Sequence, residues 1–362
     1  MLNLPALPFV CFSKPIFSPP HTNNHMRKFS AIALLAIVAC TASCKKDELK
    51  GIDTDALFAT PTAQEIESIR ATISQHNLTP TDAVVENSYD INSKMMLKMI
   101  SFRLYGYKQY AYVLLPVTAK PLPVQLYING FGLDKPNSSE SIKLSTDTGS
   151  FPLVYVAPAL RGQSLIWEVN GTSYTTPVSE GTREDAFDGA TDDAIATLNA
   201  VGALFPGVAD TTRVAVRGGS RGAAVALLMA ERDKRVKRAV GVAVPTDLLS
   251  STKTHQGDPT YKFQFLDALI NGTATLQQAR TKLIASSPLY FCDQLPKAQI
   301  HFGEKDDITP TTEGDKMVSA MKVSGHSDSL EMFVYKDRDH TNIGTDNTEM
   351  AERIKAFFSV LW

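Results

Sequence analysis

The chain has 362 residues, of which 43% are hydrophobic and 20% are charged. This composition is ordinary for a globular protein and the length suits one large α/β domain, so a disordered chain is excluded. Lys and Arg number 36 against 38 Asp and Glu, which gives a net charge of −2. Because no basic face is indicated, we expect no nucleic-acid partner.

The first part of the chain has the pattern of an export signal. A basic start at residues 26–28 is followed by an apolar run at 31–39 and then by small residues. The run is about half of the ~20 residues that a membrane-spanning helix needs, which favours a cleaved leader over an anchor. We predict a signal peptide over residues 26–43, with translation starting at Met26 and residues 1–25 lying outside the protein.

The small residues directly before Cys44 resemble a bacterial lipobox, in which the cysteine is lipidated and becomes the first residue of the mature protein. An ordinary signal peptidase site is the alternative. The resemblance implies an exported lipoprotein of the bacterial cell envelope, attached to the membrane through Cys44, with residues 44–61 as a polar tether. Cys292 would then be the remaining cysteine, which excludes a disulfide framework and a thiol metal site.

A single folded domain is expected over residues 62–362, beginning with a helix at 63–73 that Thr62 can cap. Eight β-rich runs bounded by Gly, Pro, Asn and Asp follow, and the first two are close enough to form an antiparallel hairpin. Long segments separate the later runs, as crossovers between parallel strands require. The eight predicted strands are 96–105, 110–115, 124–128, 153–157, 213–217, 239–244, 298–302 and 330–335.

Two further helices are predicted, at 184–204 and 221–231, from apolar residues at helical spacing. The alternation of strands and helices indicates an eight-stranded, mostly parallel sheet with helices on both faces. The segment 246–296, between the sixth and seventh strands, is longer than a plain crossover needs. It is either a cap over an active site or an enlarged surface crossover.

The pentapeptide 218–222 reads Gly-Gly-Ser-Arg-Gly and contains the motif G-x-S-x-G around Ser220. Alone the motif carries little weight, but here it directly follows a predicted strand and directly precedes a predicted helix. That strand–turn–helix setting is the one that the nucleophile turn of the α/β-hydrolase fold requires. We therefore predict that fold, with Ser220 as the nucleophile at the carboxyl edge of the sheet.

A serine hydroxyl needs a base to take its proton and an acid to orient that base, and in this fold they follow in the order Ser, Asp, His. Asp306 lies just after the seventh strand and is the predicted acid, with Asp307 and Asp247 as competitors. His340 lies just after the eighth strand, at the edge where sites of open α/β sheets form, and is the predicted base.

The other histidines and the remaining parts of the site follow from their positions. His326 precedes the eighth strand, at the opposite end of the sheet, and His301 lies within the seventh strand, which favours a buried, hydrogen-bonded role. The oxyanion hole of this fold uses the amide after the nucleophile and amides from the loop after the third strand, here Arg221, Phe131 and Gly132. No metal-ligand spacing or phosphate-binding loop occurs, so no metal or cofactor is expected.

These residues resemble the catalytic domain of the prolyl oligopeptidase family, from about residue 96 to the C-terminus. The segments that carry the resemblance are 129–132, 218–222, 287–290 and 303–310. The chain is also similar to acetyl xylan esterases and cephalosporin deacetylases, whose Arg-Gly-Gln motif corresponds to residues 161–163.

Both resemblances imply the same fold and acyl-transfer mechanism. Several residues differ from the families: Phe131 stands where large oligopeptidases have a tyrosine, and Arg221 and Thr341 stand where the esterases have Gln and Glu. For Arg161, the open interpretations are a tie between loops, a substrate contact and a surface arginine.

The sequence predicts that Ser220 attacks a small ester, without a cofactor. A peptidase that acts on short peptides is the alternative reading of the same site. A lipid-anchored binding protein without catalytic activity is the second class of hypothesis.

Overall fold

The computed structural model describes residues 49–118, 120–130, 137–142 and 153–361. The predicted signal peptide, Cys44, Phe131 and Gly132 lie outside these residues.

Twelve strands are present in the described part of the chain, and they form two sheets. The larger sheet has nine strands in the order β1-β2-β3-β6-β4-β9-β10-β11-β12, and the smaller has the order β5-β7-β8. In chain order, β1 to β12 are Thr81–Asn92, Met95–Leu104, Tyr107–Pro116, Leu122–Ile128, Asn137–Ile142, Val154–Ala159, Ser164–Val169, Thr172–Thr175, Ala209–Gly219, Val236–Val242, Lys297–Gly303 and Leu330–Tyr335.

The mostly parallel α/β-hydrolase sheet predicted from the sequence is confirmed, with one more strand than the eight expected. The six strands β6, β4, β9, β10, β11 and β12 run parallel to one another, whereas β1, β2 and β3 form an antiparallel end. Since the carboxyl ends of parallel strands meet at one edge, the segments that follow β9, β11 and β12 come together there.

The predicted hairpin is β2 and β3, joined by Tyr105 and Gly106, with Leu104 paired to Tyr107. Both turn residues have positive φ, 53° and 84°. A two-residue turn of type I′ requires positive φ at both of its central residues. Such turns are favoured in hairpins because their twist matches that of the strands. Strand β3 therefore begins three residues earlier than predicted.

Ten α-helices are present among the described residues, and shorter 3₁₀ or π turns lie between them. The helices at 63–73 and 221–231 are confirmed. Helices α1 to α10 are Thr54–Leu57, Ala63–Ile73, Asp188–Leu204, Arg221–Arg232, Leu248–Thr254, Pro259–Tyr261, Asp267–Ile270, Leu276–Ala285, Thr311–Val323 and Thr348–Phe358.

Helix α3 begins four residues later than predicted. A separate 3₁₀ turn, Arg183–Asp185, precedes it. The Asp185 carboxylate accepts the Gly189 amide at 3.0 Å and so satisfies one of the donors that a helix start leaves without an intrahelical partner.

Helices cover both faces of the large sheet. Helices α3, α4 and α9 pack on one face in the main hydrophobic core, and α10 packs on the other face against β9 and β10 through Ala215 and Val240. The small sheet covers β2, β3 and β6 on the α10 side, where Trp167 packs edge-on against Tyr112 at a ring separation of 6.1 Å. Together these layers bury the parallel strands on both sides.

The predicted tether is wrong over its described part, residues 49–61. Helix α1 lies within it, and the side chains of Leu57 and Phe58 are buried in the main core. The Arg280 guanidinium from α8 donates hydrogen bonds to the backbone carbonyls of Ala56, Leu57 and Ala59. The polar composition of the segment hides these few apolar anchors, which is why the sequence suggested a tether.

The long segment 246–296 contains α5 to α8, a π turn at Lys262–Leu266 and a 3₁₀ helix at Pro288–Gln294. It is a helical insertion between β10 and β11, and its role as a cap stays a prediction. No helix in the part of the chain that the structure describes is long and apolar enough to span a membrane.

Candidate active site

Ser220 lies in a strained turn between β9 and α4. Its backbone has φ 52° and ψ −125°, a region that costs a residue with a side chain roughly 1–3 kcal/mol. The Ser220 amide donates to the Val242 carbonyl of the neighbouring strand at 2.8 Å, which anchors the turn to the sheet. This backbone conformation places the hydroxyl at the carboxyl edge of the sheet, which is the position that the sequence motif predicts.

Close backbone approach explains the glycines around Ser220. A Cβ atom on Gly222 would lie 2.1 Å from the Ile128 carbonyl oxygen, and one on Gly218 would lie 2.0 Å from the Gly222 carbonyl oxygen. A Cβ atom on Gly130 would lie 2.7 Å from the Gly219 carbonyl oxygen. The loop after β4 therefore packs directly against the serine turn, and larger residues would push the two apart.

The structure brings the three predicted residues into one hydrogen-bonded chain. Ser220 Oγ lies 2.9 Å from His340 Nε2, and His340 Nδ1 lies 2.9 Å from Asp306 Oδ2. An ionised carboxylate only accepts hydrogen bonds, so the proton of the neutral imidazole is assigned to Nδ1 and leaves Nε2 as the acceptor. Nε2 is thereby positioned to take the serine proton.

The Asp306 carboxylate is fully enclosed by donors. Its Oδ1 accepts the amides of Ile308 and Thr309 at 3.0 and 2.8 Å, and its Oδ2 accepts the Thr309 hydroxyl at 2.8 Å. Burial raises the pKa of Asp306, but the hydrogen bonds from His340 and Thr309 and the His340 charge outweigh it, so the pKa lies below its usual range. The carboxylate therefore stays ionised at neutral pH.

Thr309 is a site residue that the sequence reasoning missed. Besides its bond to Asp306, its hydroxyl lies 3.1 Å from His340 Nδ1, and the residue is 3% exposed. The signal in the sequence is an Asp followed three residues later by a hydroxyl residue. At this spacing the Asp carboxylate can accept hydrogen bonds from the residues of the loop that follows it.

The competing acids have other roles in the structure. The Asp307 side chain is exposed, next to the buried Asp306. Asp247 caps α5 by accepting the Ser250 amide at 3.1 Å, and it also accepts the Tyr290 hydroxyl at 3.0 Å and Lys316 Nζ at 3.2 Å.

The competing histidines also lie apart from Ser220. His326 is exposed, with Nδ1 3.3 Å from Ser324 Oγ. His301 is fully buried in β11, stacked on Phe333, with Nδ1 2.9 Å from the Tyr335 hydroxyl. Burial, aided by the Arg217 and Arg353 charges, lowers the pKa of His301 to about 3, so this ring is neutral.

Of the three residues predicted to form the oxyanion hole, Arg221 lies within the described residues. The Arg221 amide stands at the first position of α4, beside the serine hydroxyl, where the helix dipole favours negative charge. Phe131 and Gly132 lie outside the described residues. Their neighbour Gly130 is described, and it packs against the serine turn.

The Arg161 guanidinium ties two elements together. Its Nε and Nη2 donate to the Asp193 carboxylate of α3 at 2.9 and 2.8 Å, and its Nη1 donates to Asp185. Burial raises the pKa of Asp193, and the hydrogen bonds and charge of Arg161 oppose this effect. Among the open interpretations of Arg161, these contacts support the tie between loops. No group of three or more His, Cys, Asp or Glu side chains that could hold a metal occurs in the described ranges.

Comparison with known protein families gives a match over the C-terminal part of the chain. The sequence model of the prolyl oligopeptidase family matches residues 170–361, more than half of the chain. No curated protein matches the chain.

Solved structures show a similar fold. Acetyl xylan esterase 1 from Thermoanaerobacterium sp. JW/SL YS485 has 16% identity and a TM-score of 0.57, with 83% of this chain and 94% of that chain covered. Acetyl xylan esterase from Paenibacillus sp. R4 has 17% identity and a TM-score of 0.55, with coverages of 85% and 98%. The acylaminoacyl peptidase of Pyrococcus horikoshii has 15% identity and a TM-score of 0.53, but only 42% of that chain is covered, against 75% of this one.

Proposed function

The chain belongs to the prolyl oligopeptidase family and is a serine hydrolase, and we propose that it cleaves a carboxylic ester with Ser220, His340 and Asp306 as its catalytic triad. The observation that carries this proposal is the hydrogen-bonded chain from Ser220 Oγ through the imidazole to Asp306, with 2.9 Å at each link. A nucleophile, its base and the orienting acid in this geometry define the activated serine of acyl transfer.

The proposed reaction has two halves. Ser220 Oγ attacks the ester carbonyl carbon while His340 Nε2 takes the hydroxyl proton, and the same proton then passes to the leaving alcohol as the acyl-enzyme forms. A water molecule, deprotonated by His340, attacks the acyl-enzyme, and the imidazolium then returns that proton to Ser220 Oγ as the acid and the free serine are released. Asp306 stays ionised throughout and stabilises the imidazolium, since its pKa is lowered.

The negative oxygen of each tetrahedral intermediate needs backbone donors. We assign this role to the Arg221 amide and to the amides of Phe131 and Gly132. The contact of Gly130 with the serine turn supports the assignment, because it brings the start of that loop beside the nucleophile.

Two arguments favour an ester over a peptide. An alkoxide leaving group needs less protonation than an amine, so an ester makes a smaller demand on His340. The fold also matches two acetyl xylan esterases over 94% and 98% of their length, which is the second support for an ester. Cleavage of short peptides is the alternative that the family match keeps open.

We also propose export as a lipoprotein of the bacterial cell envelope, with the lipid on Cys44. The support is the leader pattern at residues 26–43. Incorporation of labelled palmitate that is lost in Cys44→Ala tests this part, and incorporation that survives the substitution contradicts it.

Active-site labelling tests the catalytic proposal. A fluorophosphonate probe should label the wild type, and Ser220→Ala and Ser220→Cys should both lose labelling. Asp306→Asn should lose turnover by roughly 10⁴-fold, as removal of the acid does in this type of triad. The matched control Asp307→Asn, at the exposed neighbour, should retain activity.

Three results would contradict the proposal. Unchanged labelling of the Ser220 variants rejects this serine. A folded wild type that turns over neither short p-nitrophenyl esters nor aminoacyl-arylamides favours the inactive binding protein. Higher kcat/KM on the arylamides than on the esters makes the peptidase the better description.

A further inference from the structure

The side chain of Arg221 extends inward from the serine turn to three loops. Nη2 donates to the Asn129 carbonyl and to the Gln163 side-chain oxygen, and Nη1 donates to the Ala186 carbonyl, each at 3.1 Å. Arg221 is 6% exposed. Burial lowers the pKa of its guanidinium and the Asp193 charge opposes this, but a guanidinium stays protonated at neutral pH, so it keeps all its donors.

The bond to Asn129 fixes the direction of a peptide plane next to the site. Asn129 directly follows β4 and is buried. Its carbonyl is confined on a second side, since a Cβ atom on Gly222 would lie 2.7 Å from this oxygen. Because the peptide group is planar and trans, holding the carbonyl also fixes the Gly130 N–H on the opposite side of the plane.

The other two partners are themselves held in place. Gln163 is fully buried and follows Arg161, whose guanidinium is bound to α3. The Ala186 amide donates to the Gln264 side-chain oxygen at 3.2 Å, which connects this loop to the insertion between β10 and β11. Arg221 therefore joins the serine turn to three loops that are each fastened elsewhere in the domain.

From this geometry we propose that the Arg221 side chain is a positioning group that sets the oxyanion-binding loop after β4 relative to Ser220. The proposal rests on the proposed function, in which the Arg221 amide is one oxyanion donor. The guanidinium of the same residue then holds the start of the loop after β4, at Asn129 and Gly130, beside the serine turn. The Arg221 amide and the peptide group between Asn129 and Gly130 thereby become parts of one rigid unit around the nucleophile.

A side chain with this role affects the transition state more than the bound substrate, because the oxyanion forms only during reaction. Removing one oxyanion-hole donor typically lowers kcat about 10²- to 10³-fold. Loss of the side chain that holds such a donor in place should lower kcat by a smaller factor. We expect Arg221→Met to lower kcat by roughly 10- to 100-fold and to change KM by less than about threefold.

The test compares kcat with the affinity for a trifluoromethyl ketone, which forms a tetrahedral oxyanion on the serine. In Arg221→Met the inhibitor affinity should fall by about the same factor as kcat. Arg221→Lys keeps the charge but not the planar fork, so it should show a similar loss. Gln163→Leu removes one partner and should show a smaller loss, about three- to tenfold. In the double variant the two losses should not add, because both act through one network.

Arg232→Met is the matched control. Arg232 lies on the same helix, about 16 Å along its axis, and it also donates to two backbone carbonyls, those of Asp188 and Ala285. Its loss should lower the melting temperature and leave kcat and inhibitor affinity near the wild-type values. A stability effect alone is thereby separated from the positioning effect.

The proposal is overturned if folded Arg221→Met and Arg221→Lys keep kcat within twofold of the wild type, or lose kcat with unchanged inhibitor affinity. If Arg221→Met does not fold, Gln163→Leu and Arg221→Lys decide by the same two measurements. These outcomes are distinct from a failure of the proposed function. If Ser220→Ala retains labelling, the triad assignment fails, whereas lost labelling with fully active Arg221 variants rejects only the role of the guanidinium.

Discussion

The Thr309 hydroxyl offers a sharp test of how the acid is held in the site. Thr309→Val removes one hydroxyl and almost no volume from a residue that is 3% exposed. The change deletes the 2.8 Å bond to Asp306 Oδ2 and the 3.1 Å contact with His340 Nδ1. The two backbone amides that donate to Oδ1 remain in place.

The expected loss in the free energy of unfolding follows from the charge of the hydrogen-bond acceptor, the Asp306 carboxylate. A hydrogen bond to a charged group contributes about 1.5–3 kcal/mol. Since Asp306 keeps the imidazole and two amides, we expect the free energy of unfolding to fall by about 1–2 kcal/mol at neutral pH.

The loss should depend on pH in a defined direction. The folded-state pKa of Asp306 lies below its usual range, so ionised Asp306 contributes stability above the ordinary aspartate pKa of about 3.9. That contribution disappears as the pH falls through the folded-state pKa. The difference between the wild type and Thr309→Val should therefore shrink in acid.

Turnover should also fall, because an acid with one fewer donor holds the imidazole less firmly. We expect Thr309→Val to lower kcat by roughly tenfold, at the lower end of what acid–base catalysis contributes. Thr309→Ser retains the hydroxyl and should recover most of the loss. Urea unfolding at several pH values and ester turnover provide the measurements. Equal kcat in Thr309→Val and the wild type, or equal damage in the Ser and Val variants, would refute this reasoning.

Three further substitutions test other parts of the structure. Ser220→Gly should be more stable than Ser220→Ala by about 1 kcal/mol in urea unfolding, because glycine adopts positive φ without strain; equal stability would contradict the strained turn. Arg161→Met leaves the buried Asp193 carboxylate without its cation and should destabilise the fold by about 3–5 kcal/mol; a raised KM at unchanged melting temperature would instead indicate a substrate contact. Arg280→Met should expose residues 49–61 to limited proteolysis, and an unchanged cleavage pattern would show that other contacts suffice to hold them.

The arrangement of the triad could be predicted because it depends on chain order and strand ends. Ser220, Asp306 and His340 follow β9, β11 and β12, and the three strands end at the same edge of the sheet. Parallel strands with right-handed crossovers leave few other ways to arrange these segments. The same reasoning separated His340 from His326, which the structure leaves at the far end and exposed.

Two of the parts that were not predicted from the sequence, strand β1 and the anchoring of residues 49–61, lack a local pattern. Strand β1 is a largely exposed edge strand, so its residues lack the alternation that marks a half-buried strand. Strand β7 does alternate, with Leu165, Trp167 and Val169 buried, and this signal could have revealed the small sheet. The anchoring of residues 49–61 depends on Arg280, which is more than 200 residues away and cannot be found from local composition.

The side chains of Ser220 and Arg221, which follow one another in the serine turn, extend in opposite directions. The turn directs Ser220 outward to the carboxyl edge, while the next side chain, Arg221, extends beneath the site among the loops that surround it. Gly222 and Gly130 allow these loops to come into backbone contact with the turn. In the proposed function the reaction type is set by the outward residue and its base. The inward residue can vary in chemistry without altering that reaction, provided that it keeps the oxyanion donors in place, so its substitution should change the rate and leave the products the same.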